Sequence, residues 1–501
     1  MKSKIVLWNI LSNVIYQITT IISGLVIPIL IIKYYGSEIN GLNASINQAI
    51  GYLHLVEAGI GMASIQALYK PLSSKNSEEI NGVLSATKNL YNKSGLFFLI
   101  LLLTLMVVYP LIIQDGISKS ITIGLVLVLG LGGIVEYFLH GKYRVLLLAD
   151  QKGYVIFNLQ SLASVLSTLL KVYLIQENYS IIFVQAIATS MFLLRVLLLK
   201  IYIQKNYSNI NYNGEPNNNA LNKKNAVFVH QIAFLVLNNT DILIISIFLS
   251  LKTVSVYSIY NIVFTAIGGL IISLSSSSLS AAFGQILALG DKRKIKSGYN
   301  VYEFIYFIIL FAVYNVAFIM TLPFIELYTM GVKDANYIDR HLPLLFSFIG
   351  LLNHIRNPMV AIINGAGHFK ETQNKAIIEA VINLGVSLLL VRSLGVYGVL
   401  IGTIVAFIYR TADTLFYTHK HILDQSPILT LKRLGLNFIG CLVIIYIVVK
   451  FKLIHAITWI QWIESSLSMI FLTLIILIIF NWIHEPSNLK KVFRHIKHFN
   501  H

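Results

Sequence analysis

The chain has 501 residues, of which 56% are hydrophobic and only 12% charged, with a mean hydropathy of +0.75; such a composition excludes a soluble globular domain and points to a bilayer. Its formal charge of +17 would suggest nucleic acid in a soluble protein, but the cations gather between apolar runs, so they read as topology anchors and no nucleic-acid partner is expected. The single cysteine, Cys441, excludes an internal disulfide, a thiolate metal cluster and a CxxC redox motif.

A spanning helix needs about 20 mostly apolar residues. The first such run, 8–32, continues past Pro28 without a small-residue cleavage site, so it reads as a span and not a secretory signal. The second, 41–68, is expected as one helix in which His54 and Glu57 lie a turn apart. They read either as a hydrogen-bonded pair lining a cavity or, for Glu57, as a structural ion pair with a cation of the fourth or sixth span; Gly59 and Gly61 would let a neighbouring helix approach. A charged loop, SSKNSEEINGVLSATKNLY, follows at 73–91. Spans at 94–114, 121–150, 154–175 and 180–203 complete the first half, with GLGG at 130–133 as a packing element and Lys142 and Arg195 toward the inner ends of their helices.

The polar segment NYSNINYNGEPNNNALNKKN then reads as a linker at 206–225. Beyond it come spans at 226–250, 254–284, 301–328, 341–366, 376–394, 396–418, 435–453 and 460–483. The expected architecture is therefore an all-α polytopic membrane protein of about fourteen transmembrane helices. Taking the N-terminus as cytoplasmic places more than twice as many Lys and Arg inside as outside, which puts both termini in the cytoplasm. The tail LKKVFRHIKH is then an anchor at anionic lipid headgroups.

The two halves resemble each other at an offset of about 215 residues, which superposes Tyr91 on Tyr306, His140 on His354, Lys142 on Arg356, Arg195 on Arg410 and Lys205 on Lys420. Each half holds six spans and begins and ends inside, so the repeat is parallel. Its axis runs along the membrane normal, as expected of two rocking lobes with a substrate between them. The domains are an N-lobe at 1–205, the linker at 206–225, a C-lobe at 226–420, and two unpaired helices with a basic tail at 421–501.

LVEAGIGMASIQALYKPL at 55–72 with the charged segment after it, NNTDILIISIFLSLKTVSVYSIYN at 238–261, and INGAGHFKETQNKAIIEAVINLGVSLLLVRSLGVYGVLIGT at 363–403 resemble the bacterial polysaccharide repeat-unit flippases of the Wzx type. That family belongs to the superfamily of drug and toxin exporters and lipid II flippases. The resemblance covers nearly the whole chain. It implies a MATE-like fold of two six-helix lobes around a central cavity, in a bacterial plasma (inner) membrane. It also implies the moving of an undecaprenyl-pyrophosphate-linked oligosaccharide from the cytoplasmic to the outer leaflet by alternating access, for O-antigen, capsule or related polysaccharide. Membrane lipids and the polysaccharide polymerase and export machinery are the expected partners, and a monomer the expected unit.

A pyrophosphate headgroup needs guanidinium or ammonium groups held away from bulk water. Arg356, Lys142, Arg195 and Arg410 are the candidates, with His54 and Glu57 as further cavity residues. Arg356 leads because NHIRNP at 353–358 also contains Pro358, which frees a backbone carbonyl. The plain alternative is that these long cations snorkel to the inner headgroups. Tyr52, Tyr257 and Tyr260 are candidates for stacking on sugar rings, and His230 reads as interfacial.

Asp241 lies about fifteen residues into the seventh span, roughly 22 Å along the axis at 1.5 Å per residue, too deep to snorkel. An ionised Asp at a helix centre costs about 2.5–3.5 kcal/mol, so it is protonated, paired or holding a cation. In the lipid II flippases a carboxylate in this region serves a coupling cation, which implies H⁺ or Na⁺ at Asp241 with oxygens from Asn383 and Thr403. Glu379 reads as too near the cytoplasmic end to share that site. A structural role with Asn238 and Asn239 is the alternative. Coupling is not required on energetic grounds, because a diphosphate leaving a negative interior gains on the order of 4–5 kcal/mol per 100 mV.

Two rival functions share parts of this pattern: a cation-coupled drug exporter, which calls for a more apolar and acidic cavity, and an intramembrane polymerase or glycosyltransferase, which calls for a large outward loop. The longest outside connection, MGVKDANYIDRH, is short. Neither a P-loop nor an HExxH motif is present, so no catalytic residue and no metal ligand is assigned and no enzyme is expected.

Overall fold

The computed structural model describes residues 2–57, 59–113, 116–221, 240–274, 277–289, 291–454 and 456–486. All regular structure among them is helical. Twelve helices are long and apolar enough to cross a membrane. Two of the fourteen expected spans are not among the twelve: the second, which is broken, and the seventh, of which 226–239 lie outside the described residues.

The chain divides into two compact units, Met1–Ser258 and Ile259–His501. In the first, α1 (Lys2–Tyr35) packs on α7 (Gly153–Gln176), which packs on α8 (Ile181–Asn206). α3 (Ile60–Ser74), α4 (Ser77–Ile112), α5 (Lys119–Val135) and α6 (Gly141–Ala149) form the other wall. GLGG fits its expected packing role, since a Cβ on Gly130 would lie 2.3 Å from Leu102 and one on Gly133 2.3 Å from Phe98. α5 and α4 therefore meet backbone to side chain.

The loop expected at 73–91 is a short turn followed by helix. Asn76 caps α4 by accepting from the Glu78 and Glu79 amides at 3.2 Å each, and both acids sit where the helix dipole favours them. Strong capping extends the helix to 36 residues, roughly 54 Å at 1.5 Å per residue, well beyond a hydrocarbon core of about 30 Å. Its repeat partner, α12 (Lys292–Tyr328), is capped by Asp291 and runs for 37 residues.

The second span is not one helix. α2 (Ser37–Leu53) ends in a 3₁₀ turn over His54–Glu57, Gly59 takes φ +87°, and α3 begins at Ile60. Only glycine adopts that φ without strain. The fourth span is also irregular: a π turn at Glu136–His140 joins α5 to α6. Such turns crowd functional sites in helices.

The first unit also contains α9, whose described part is 240–248, and the start of α10 (Leu251–Leu274). The span expected at 254–284 divides into α10 and α11 (Ser277–Ala288), with 275–276 outside the described residues. In the second unit α12 is central, packing on α13 (Leu342–Ile355), α17 (Ile428–Lys450) and α18 (Trp459–His484). α13 breaks at Arg356, and α14 (Asn357–Ala366) restarts with Pro358 in its first turn, where a missing N–H costs nothing. α15 (Phe369–Leu394) and α16 (Val396–Tyr417) form a close hairpin, in which a Cβ on Gly402 would meet the Ser387 hydroxyl at 2.2 Å.

Candidate functional site

Each unit holds one buried glutamate between two arginines. In the first unit the π turn aims Glu136 at two guanidinium groups and an imidazole: Arg144 Nη1 lies 3.3 Å away, Arg195 Nη2 3.7 Å and His140 Nδ1 2.7 Å. The broken second span brings Glu57 to the same cluster, where it accepts from Arg144 Nη2 at 3.0 Å and from the Tyr91 hydroxyl at 2.6 Å. Gly61 borders this cluster, where a Cβ would stand 3.3 Å from that hydroxyl and 3.5 Å from Glu57. Two carboxylates thus face two guanidinium groups. Among the described residues the Arg144 and Arg195 Nε donors are buried without a partner, and the Arg195 guanidinium lies 3.9 Å over the Phe192 ring.

His54 and Glu57 do not bond to each other. The 3₁₀ turn rotates them apart, so His54 Nδ1 meets the Tyr137 hydroxyl at 3.1 Å and its ring packs on Phe98 and Tyr137. The carboxylate instead takes Arg144 of the fourth span.

In the second unit Glu379 of α15 is 2% exposed. Arg356 Nη1 lies 2.5 Å from its Oε1, and Arg410 Nε of α16 lies 3.6 Å from its Oε2. The break at Arg356 lets its Nε and Nη2 turn back to the Asn353 carbonyl and side-chain oxygens at 3.2 and 2.6 Å. Asp413 pairs with Arg410 at 2.9 Å, and Lys375 lies 3.9 Å from Asp413 at the rim. Arg195, Arg356 and Arg410 are therefore not snorkelled ends. They are 12–16% exposed and face carboxylates.

Lys142 is a member of neither cluster. It has no ion pair among the described residues and lies 5.1 Å from the Tyr143 ring centroid and 5.9 Å from that of Tyr212. Asp241 is 7% exposed and accepts from the Tyr257 hydroxyl at 3.0 Å, while Thr240 beside it bonds to Tyr52. Asn238, Asn239 and His230 lie outside the described residues, as does most of the tail LKKVFRHIKH. In the second unit Asn383 Nδ2 donates to Thr403 Oγ1 at 2.8 Å, and both residues are buried. Tyr260 is fully buried, with its hydroxyl on the Tyr337 carbonyl at 2.8 Å, and so is closed to a sugar.

One further cluster escaped the sequence. Arg433 of α17 is 0% exposed and joins Glu303 of α12 at 2.7 Å to Glu485, just past α18, at 2.9 Å. It looked like one more topology cation; Tyr299 and Thr430 complete the shell of Glu303. Glu136 was missed as well, although the helical spacing Glu136, His140, Arg144 places all three on one face.

The described residues define an all-α, polytopic membrane protein with a MATE-like fold. No protein-family model matches the sequence, and no curated protein does. Among solved structures, the lipid II flippase MurJ in an inward closed conformation is similar at 18% identity and TM-score 0.65, covering 95% of this chain and 100% of that one. An inward-facing multidrug resistance MATE family transporter of the MOP superfamily is similar at 17% identity and TM-score 0.65, covering 81% of this chain and 95% of the other. An outward-facing transporter of that family matches at 16% identity and TM-score 0.52, over 82% of this chain and 95% of its own.

Proposed function

We propose that the protein is a flippase that carries undecaprenyl-pyrophosphate-linked oligosaccharide repeat units from the cytoplasmic to the outer leaflet of a bacterial plasma membrane by alternating access, for cell-surface polysaccharide assembly. The observation that carries this is the extent of the shared fold. The likeness to the lipid II flippase covers 95% of the chain and that to the MATE transporter 81%. The buried triad around Arg433 ties α17 and the end of α18 to α12, so these last two helices are an integral part of the second unit.

The chemistry agrees. In each unit a glutamate occupies guanidinium groups that suit a diphosphate, and irregular backbone within a span persists only where protein or a wet cavity satisfies it. An anionic headgroup exchanges with the carboxylates, taking the loosely held Arg195 first, since its 3.7 Å contact is the longest between an arginine and a glutamate in either cluster. Asp241, among the Tyr257, Thr240 and Tyr52 hydroxyls, is the candidate for an H⁺ or Na⁺ that returns the empty carrier; Asn383 and Thr403 are the polar pair of the second unit that serves the same cycle. Polymerase and export components are the downstream partners.

Purified protein in vesicles loaded with a fluorescent undecaprenyl-pyrophosphate-linked sugar tests this through the fraction accessible to an external quencher. Flipping that Arg356→Ala abolishes and Asp241→Asn slows is the expected result. Efflux of a cationic drug that the lipid-linked sugar fails to inhibit would instead establish the exporter alternative, which shares the fold.

A further inference from the structure

The described part of the linker does not hang free. Asn211 donates its amide to Asn81 at 2.8 Å, Ser85 donates to the Gly214 carbonyl at 2.7 Å, and the Asn217 amide bonds to the Gly82 carbonyl at 3.0 Å. Laid along the first turns of α4, this segment closes a cavity of about 380 Å³ against the ends of α6 and α8, within the size range of small-ligand sites.

Among the described residues two lysines line the cavity, and no carboxylate does. Lys88 spends one donor on Asn213 at 2.5 Å. Among the described residues Lys142 has no ion pair and lies over the rings of Tyr143 and Tyr212. A half-buried ammonium over ring faces gains little, because a cation–π contact is weaker than a charge-assisted hydrogen bond. The Tyr212 hydroxyl is buried and makes no hydrogen bond. Burial, helped by Tyr143, pushes this phenol up from its ordinary value, so it stays protonated as an unused donor. Tyr143 and Tyr212 meet edge to face at 5.4 Å, and Tyr207 adds a third ring to the wall.

We propose that this pocket binds a sugar diphosphate: the Lys88 and Lys142 ammonium groups and the Tyr212 hydroxyl take the phosphate oxygens, and the tyrosine rings cover the sugar. The anion preference follows from the pocket alone, whereas the sugar rests on the flippase function proposed above. None of its lining residues belongs to the arginine–glutamate cluster of the first unit.

Full-length protein in phosphatidylcholine nanodiscs is titrated with inorganic pyrophosphate, with the soluble sugar diphosphate UDP-glucose, and, incorporated in the disc, with undecaprenyl-pyrophosphate-linked N-acetylglucosamine. Saturable binding that falls about tenfold or more in the Lys88→Gln/Lys142→Gln double variant, and not in Lys333→Gln, supports the site. The variant keeps the fold testable because neither lysine holds an ion pair. Tyr212→Phe, which retains the ring, is expected to weaken pyrophosphate binding several-fold. Binding of UDP-glucose shows that a soluble source suffices, and binding of the lipid-linked sugar alone assigns the site to the membrane-anchored one. Unchanged affinity in the double variant for every probe, or no binding to the wild type, overturns the site. Loss of flipping with pyrophosphate binding intact counts against the transport function and leaves the pocket standing.

Discussion

The two arginine–glutamate clusters solve one problem in different ways. In the second unit the acid comes from a neighbouring helix, and Glu379, 2% exposed, is held at 2.5 Å by Arg356. In the first unit acid and base share a span: the π turn sets Glu136 two turns before Arg144, and Glu57 enters from a second broken helix. One lobe thus has a tight pair at its centre. The other spreads its charge over longer contacts, 3.0, 3.3 and 3.7 Å. The comparison teaches that a repeat conserves the pairing of charges while the backbone that delivers the acid is free to vary.

The largest effect that would sharpen this contrast is at Glu379. Glu379→Gln leaves Arg356 without its carboxylate partner while Arg410 keeps Asp413, and breaking a buried pair costs about 3–5 kcal/mol; thermal unfolding in nanodiscs is expected to show a marked drop. Glu136→Gln is expected to cost less, about 1–3 kcal/mol, because Arg144 retains Glu57. Equal losses at the two glutamates would erase the distinction between a tight and a distributed cluster.

Gly59→Ala addresses the break itself. Holding a non-glycine residue at φ +87° costs about 1–2 kcal/mol, so stability falls by that amount; a variant as stable as wild type would show that the second span can straighten. The smallest stability effect is expected for Arg195→Gln, under about 1 kcal/mol, because its 3.7 Å contact is not a hydrogen bond. Flipping should nevertheless slow roughly tenfold, the worth of one charge-assisted contact. A large stability loss without a transport defect would make Arg195 a strut.

Much of this was legible from sequence. Guanidinium groups inside apolar runs stand out, so Arg195, Arg356 and Arg410 could be picked by eye, and the repeat offset placed Tyr91 and Tyr306 in matching positions. In the structure each of these tyrosines serves the irregular part of its lobe, Tyr91 on Glu57 and Tyr306 on the His354 carbonyl. The breaks were harder to see. Gly59 reads equally as a packing glycine or a left-handed hinge, and only tertiary contacts decide; likewise Glu379 lies on another helix than Arg356 and Arg410, the bases it serves. The Arg433 triad was invisible because its members are 130 and 52 residues apart, beyond any periodicity.

That spacing bears on how the protein is made. Arg433 leaves the ribosome 52 residues ahead of Glu485, about 3–10 s at ordinary elongation rates, so α17 enters the lipid with only Glu303 to receive its guanidinium. The last carboxylate arrives as a latch, and a nascent chain stopped short of it would present quality-control proteases with a half-neutralised arginine.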